Sequence, residues 1–242
     1  MATHPHPKRP RGRRAETPAA APVRSAPARK PAKRAPGRPN VDSPDQRTRL
    51  VDAALACYVR QGIVATSLRD IAAEAGVTPA LVHYYFGDAQ QLRDSVIEER
   101  LLPVFQSVRE PLTRVDADDL AALVAGFVSG VFRAVEAHPW WPALWVREVL
   151  SEGGALRDLL VTRIAPEFSR MIAQRFAQAQ ARGQLNADLD PRLLLVTLIG
   201  LTLFPAAGAP IWRQLFQADD LGMDDVRLHA LALLDRGLEL KP

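Results

Sequence analysis

Residues 67–86 read SLRDIAAEAGVTPALVHYYF, and this stretch decides the fold. Two short helical patterns flank a glycine. In the first, Ile71 and Ala72 face inward, and Thr66 or Ser67 is the expected cap. Ala75 is small enough to let two helices approach closely. Gly76 supplies the left-handed residue that ends the first helix, and Val77 plugs the corner. Thr78 is expected to cap the second helix. Pro79 takes its first position, where a missing N–H costs nothing. Val82 and Phe86, one turn apart, anchor this helix to a core. That leaves Thr78, Pro79, Ala80, His83 and Tyr84 on the outer side. Two short helices joined by a turn of about three to four residues containing glycine have the helix-turn-helix layout.

Outward from this motif the chain stays helical. After Ser43-Pro44, a cap and first-position pair, Leu50, Ala54, Cys57 and Tyr58 recur at helical spacing until Gly62. Asp88 caps a fourth helix, which Pro103 is expected to break or bend. Further helices are expected over 118–137, 140–150, 156–182, 191–204 and 223–238. The breaks fall at His138-Pro139, Gly153-Gly154, Gly183, Asp190-Pro191 and between Pro205 and Pro210. Ala and Leu dominate a chain that is 48% hydrophobic but only 6% aromatic, and runs of β-branched residues are absent. The composition therefore favours an all-α protein. Leu193 to Trp212 carries no charge over a length that reaches membrane-spanning size. Gly200, Pro205, Gly208 and Pro210 interrupt it, so a buried helix at a subunit interface is the better reading, and no membrane is expected.

Charge divides the 242 residues unevenly. Eleven of the 31 Lys/Arg and one of the 27 Asp/Glu lie in residues 1–40, which makes that arm +10 and the remainder −6. The arm also holds nine of the 20 prolines. Residues 1–43 therefore read as a disordered, basic, Pro/Ala-rich segment with a polyanion for a partner. Its end, Pro36-Gly37-Arg38-Pro39, resembles the Gly-Arg-Pro core of an AT-hook. Two readings stand: Arg38 enters a narrow minor groove, or the arm is a solubilising, non-specific tail. No secretory signal is expected, because no apolar run follows the charged start.

Catalytic signatures are missing. Cys57 stands alone, which excludes an internal disulfide and a Cys-rich zinc site and fits a reducing cytoplasm. The five histidines, His4, His6, His83, His138 and His229, show no pairing pattern. No phosphate-cradling loop, His-Glu-x-x-His or nucleophile elbow occurs. We therefore expect no enzyme, no cofactor and no metal.

From Arg49 to Leu92 the sequence resembles the DNA-binding domain of TetR-family regulators. The resemblance rests on Leu50-Val51-Asp52-Ala53-Ala54, Gly62, Ala65-Thr66-Ser67, Ile71-Ala72, Ala75-Gly76-Val77-Thr78, Tyr84-Tyr85-Phe86 and Leu92. It implies a helix-turn-helix DNA-binding domain of three helices over residues 44–92. A larger helical effector-binding and dimerisation domain would then occupy 93–240. It also implies DNA contacts at Ser67 and Arg69 on the first helix of the motif, and at Pro79, Ala80, His83 and Tyr84 on the recognition helix. Thr78 shares that outer face. This chain has His83 where the family usually has Tyr. It has Ala89 where the family usually has a phosphate-binding Lys, a loss the basic arm would offset. Arg69 has an alternative as an ordinary surface cation paired with Asp70 or Glu74. Tyr84 is expected to face DNA and Tyr85 the bundle.

The expected partners are double-stranded operator DNA, a small-molecule effector and a second copy of the chain. For the effector, the candidate region is His138-Pro-Trp-Trp-Pro-Ala-Leu-Trp-Val-Arg-Glu148. Trp141 and Trp145 lie one turn apart, and Arg147 or Glu148 would orient a ligand. Phe127, Val131 and Phe168 either line the same space or fill core. Core packing is the alternative for the whole aromatic cluster. The helices near 191–204 and 223–238 would pair into a four-helix bundle in a homodimer. The function so implied is a palindrome-reading repressor released by an effector. The alternative is an architectural DNA binder acting mainly through its arm.

Overall fold

The computed structural model describes residues 44–238, and among these no strand occurs. The basic arm of residues 1–43, with Arg38, lies outside the described residues. The described residues form twelve α-helices: α1 (Pro44–Gln61), α2 (Leu68–Glu74), α3 (Pro79–Phe86), α4 (Ala89–Val96), α5 (Leu102–Leu112), α6 (Leu120–Ala137), α7 (Trp141–Trp145), α8 (Arg157–Leu159), α9 (Pro166–Ala181), α10 (Pro191–Ala207), α11 (Ala209–Phe216) and α12 (Met223–Leu238). Single π-helical turns follow α4 (Ile97–Leu101), α7 (Val146–Leu150) and α8 (Leu160–Ile164).

Of the two outcomes expected at Pro103, a break does not occur. Helical structure runs without a break from Ala89 to Leu112, through Pro103 near the start of α5. The Leu102 N–H donates to the Ile97 carbonyl, five residues back, so the bonding ladder shifts register just before the proline. The Glu99 carbonyl, which a residue at 103 would normally bond, accepts from the Arg100 guanidinium at 3.1 Å. A proline that removes a donor is tolerated where its acceptor finds another. The boundary expected after residue 92 thus falls inside α4.

The stretch from Pro205 to Pro210 also differs from expectation. α10 continues through Pro205 to Ala207, and α11, which the punctuation of the sequence hid, begins at Ala209. The two helices meet at 70°. The long uncharged stretch is therefore bent and cannot cross a bilayer as one straight rod. α6 is long and apolar enough to span a membrane. It is instead the central core helix, burying Leu123, Val124, Phe127, Val128, Val131 and Phe132. α5, α10 and α12 pack around it.

Two sets of contacts set the motif against this body. Arg47 of α1 lies over the Phe86 ring at 5.1 Å and pairs with Glu99 at 2.7 Å, tying α1 to α3 and the first π turn. The second set is a buried joint. Glu148, only 3% exposed, accepts the Ile63 N–H at 3.0 Å and the Ala155 N–H at 3.1 Å. Beside it, Arg147 donates to the Val59 carbonyl at 2.8 Å. Glycine makes this approach possible. A Cβ on Gly62, whose φ is +94°, would stand 3.1 Å from the Glu148 Oε1. A Cβ on Gly154 would stand 2.4 Å from the Glu148 carbonyl oxygen. Removing the carboxylate leaves two buried N–H groups unpaired. Glu148→Ala should therefore destabilise the fold by about 2–5 kcal/mol in urea unfolding. Glu148→Gln keeps one acceptor oxygen and sets its NH2 against the other N–H, so it should cost about 1–3 kcal/mol.

Candidate functional site

The outer face of the motif is held from beneath. Ile71, Ala72, Val82 and Phe86 are all buried. Ser67 and Asp70 form a reciprocal capping box at the start of α2, with the Asp70 N–H donating to Ser67 Oγ and the Ser67 N–H to the Asp70 carboxylate. The Ser67 hydroxyl also donates to that carboxylate, and these bonds hold the Asp70 carboxyl below the usual range. Gly76 turns the chain at φ +67°. Thr78 occupies the cap position of α3 by backbone conformation, but its side chain makes no cap hydrogen bond, contrary to expectation. Pro79 at the first position pre-sets the helix without it.

Every motif residue singled out from the sequence is exposed: Ser67, Arg69, Thr78, Pro79, Ala80, His83 and Tyr84. Pro79, Ala80, His83 and Tyr84 share one face of α3 by their spacing. Tyr84 is 65% exposed, whereas Tyr85 packs on the core. The two acids nearest Arg69 in sequence are engaged elsewhere. Glu74 pairs with Arg60 at 2.9 Å, and Asp70 belongs to the capping box. Arg69 has no ion-pair partner among the described residues. His83 Nδ1 lies 2.7 Å from the Gly87 carbonyl, which requires the proton on Nδ1. Nε2 is then an acceptor in the neutral ring and a donor when the ring is charged. Ala89, at the family's usual lysine position, is the exposed first residue of α4.

In the C-terminal half, the structure brings Phe127, Trp141 and Trp145 together around a cavity of about 270 Å³. Phe168 stacks on Phe127 with ring centres 6.5 Å apart. Phe105 of α5 meets Trp141 edge-on at 5.8 Å and Trp145 at 6.0 Å. Val131, also expected from the sequence, lies in the wall, and Val108, Leu160, Ile164, Leu195, Val196, Ile199 and Leu203 add to it, with Arg109 and Ser169 as its polar side chains. Arg147 and Glu148, expected from the sequence to orient a ligand, do not line it and form the joint to residues 59–63 instead. Phe105 was missed because Pro103 read as a helix end. The periodicity Leu101, Val104, Val108, Leu112, all buried, is the signal that continues that helix. A larger groove of about 840 Å³ lies between α6 and α10–α12 and is rimmed by Arg133, Glu136, Arg213, Asp224 and Arg227. Its charges suit a wet surface, and the apolar cavity is the better small-molecule site. Among the described residues no cluster of His, Cys, Asp or Glu could hold a metal ion.

Residues 50–96 match the model of the bacterial regulatory proteins, tetR family. The HTH-type transcriptional regulator BetI of Rhizobium meliloti is 33% identical over 112 residues, which is 43% of this chain and 50% of that protein. The HTH-type transcriptional repressor SCO4008 of Streptomyces coelicolor is 27% identical over 181 residues, 75% of this chain and 88% of the relative. The chain thus spans about half the length of the BetI relative and most of the SCO4008 one. Among solved structures, the ketosteroid transcriptional regulator KstR2 of Mycobacterium tuberculosis superposes with a TM-score of 0.65 at 20% identity, covering 85% of this chain and all of that one. That likeness speaks for the fold. With the motif and its buried anchors together, residues 50–96 are a DNA-binding domain of the bacterial regulatory proteins, tetR family.

Proposed function

We propose that the protein is a homodimeric, sequence-specific DNA-binding repressor that acts in the cytoplasm and is released from its operator by a small molecule. The observation that carries this reading is the face of α3. A short, proline-started helix presents Pro79, Ala80, His83 and Tyr84 to solvent over buried Val82 and Phe86. Arg69 stands nearby in sequence as a cation with no ion-pair partner among the described residues, which suits a phosphate oxygen or guanine edge. Ser67 and Thr78 flank the two helices as further contacts, and Arg38 of the arm would reach the minor groove. The recognition helix has no Arg, Lys, Asn or Gln, so discrimination rests largely on groove shape and thymine methyl groups. The repressor assignment draws on SCO4008, which is named as one.

The test is selection of genomic fragments by purified protein, comparing wild type with His83→Ala/Tyr84→Ala. Wild type should recover a palindromic site, and the variant should bind it about 10- to 100-fold more weakly. Equal enrichment by both proteins, lost on deleting residues 1–40, would instead make the protein an architectural binder acting through its arm.

Dimerisation is supported by apolar side chains left on the outside of α10 and α11. Leu193, Val196, Phe204, Ile211, Leu215 and Phe216 are all more than 60% exposed. A soluble monomer rarely shows so much apolar surface in one region. Pairing this region with its copy would place two α3 helices in successive major grooves about one turn apart. Phe204→Glu with Ile211→Glu should yield a monomer in sedimentation velocity and abolish operator binding. A dimer that survives both changes would move the interface elsewhere.

The cavity is the proposed effector site, with Phe127, Trp141 and Trp145 in its wall. Trp145 lies three residues before Glu148, and the π turn between them carries the joint to Val59 and Ile63 at the foot of α1. A ligand that moves Trp145 therefore works against the positioning of the motif. Only differential affinity for the two arrangements does this, and operator DNA must weaken effector binding by the same factor. Spin labels on the two α3 helices should change separation when effector is added. An unchanged distance alongside operator release would rule this coupling out.

A further inference from the structure

Among the described residues, Arg109 is the charged one in the lining of the apolar cavity. The floor is buried, with Phe127, Val131, Trp141 and Trp145 closed off from solvent. The mouth is open: the Arg109 side chain is 44% exposed, and Val196 is 63% exposed. An arginine that lines a cavity and is still nearly half exposed lays its stem along the wall and keeps its guanidinium toward water. The partner of that guanidinium fixes its place. Arg109 Nη2 lies 3.4 Å from Glu167 Oε2. Glu167 sits in the first turn of α9, between Ala165 and Phe168, which both line the cavity. The cation therefore stands at the rim, where α5 faces the start of α9.

The same rim carries a second source of positive potential. α9 runs for 16 residues from Pro166, and Ala165 at its cap position makes no side-chain cap hydrogen bond. The partial positive charge of that helix start is left to other groups. Glu167 brings a carboxylate to this spot, but it is 80% exposed, and so exposed an ion pair at 3.4 Å holds weakly. Ser169, the other polar side chain of the wall, already donates its hydroxyl to the Ala165 carbonyl at 2.8 Å. Among the described residues no carboxylate lines the cavity. An ammonium head there meets like charge from Arg109, and an uncharged head gains less from a cation. A carboxylate at the mouth meets both the guanidinium and the helix start, and it keeps part of its hydration.

Resting on the reading of this cavity as the effector site, we propose that its ligand is an amphipathic monocarboxylate. Its hydrocarbon body packs against Phe105, Phe127 and Phe168, and its carboxylate stays at the mouth, where it takes Arg109 from Glu167. Arg109 is then a specificity-determining residue, and Glu167 is the competitor that the ligand displaces. Size limits the body. An apolar cavity of about 150 Å³ holds a benzene ring, so the 270 Å³ here suits a hydrocarbon of roughly ten carbons.

The test uses the full-length protein in equilibrium dialysis with three probes of one chain length, decanoate, decanamide and decylammonium, all below micelle-forming concentration. Decanoate should bind about tenfold more tightly than decanamide, with decylammonium weakest. In wild-type protein, added salt should weaken decanoate but not decanamide, a readout that depends on no variant folding. Arg109→Met keeps an apolar stem on the wall and removes the charge. It should bring decanoate down to decanamide's affinity while leaving decanamide's within about twofold. Glu167→Gln removes the competitor and should tighten decanoate about threefold, with decanamide unmoved. Equal affinity for decanoate and decanamide, no binding of any probe, or a decanoate preference that survives Arg109→Met overturns the proposal. Operator affinity measured in the same samples separates the two readings. Decanoate preference without any change in operator affinity would uphold the ligand chemistry and remove the effector role.

Discussion

The Glu148 carboxylate joins two backbone segments far apart in the chain. One oxygen takes the N–H of Ile63, 85 residues earlier in the chain, and the other takes the N–H of Ala155. Because the group is buried, both bonds must be present for it to be tolerated, and its position is determined by them. Ile63 lies just past the end of α1, and the next turns of chain form the motif. This carboxylate, with Arg147 bonded to Val59 beside it, is thus one of the contacts that orient the motif on the helical body, together with Arg47 and the continuous helix from α4 into α5. Gly154 is required by the same contact, since a methyl group there would collide with the Glu148 backbone, whereas one at Gly62 would crowd the carboxylate and be strained by the positive φ.

From this joint the chain leads directly to the cavity. The π turn Val146–Leu150 carries Glu148 and continues α7, whose Trp141 and Trp145 form part of the cavity wall. On the other wall, Phe105 and Val108 belong to α5, which is joined to α4 by another π turn. The third π turn supplies Leu160 and Ile164 to the same cavity, and its Arg163 pairs with Glu98 at 2.7 Å. Each π turn inserts one residue into a helix and shifts its bonding register, which bends or rotates the helical segment beyond it. All three occur where a helix lines the cavity or leads from it toward the motif.

The motif was legible because its determinants are local. A capping serine, a left-handed glycine, a proline in the first turn and apolar residues one turn apart act within a few residues of each other. Trp141, Trp145 and Phe127 were legible as an aromatic cluster, though not as a cavity. The extension of helix through Pro103 was not legible. It depends on a register shift and on Arg100 taking the carbonyl that the proline leaves unbonded. α11 escaped for a related reason, since Pro205, Gly208 and Pro210 read as one long interruption and not as a 70° bend between two helices.

Arg147 and Glu148 mark the limit most clearly. Their closeness in sequence to Trp145 pointed them at the ligand. The π turn changes the angular step between residues, so spacing no longer predicts the face, and both side chains reach residues 59–63 instead. By itself the sequence determined the all-helical class, the helix-turn-helix and its exposed face, because those depend on contacts between near neighbours. Only the tertiary structure decided where the cavity lies and how it is tied to the motif. Those features rest on contacts between residues tens of positions apart, for which a linear pattern carries no signal.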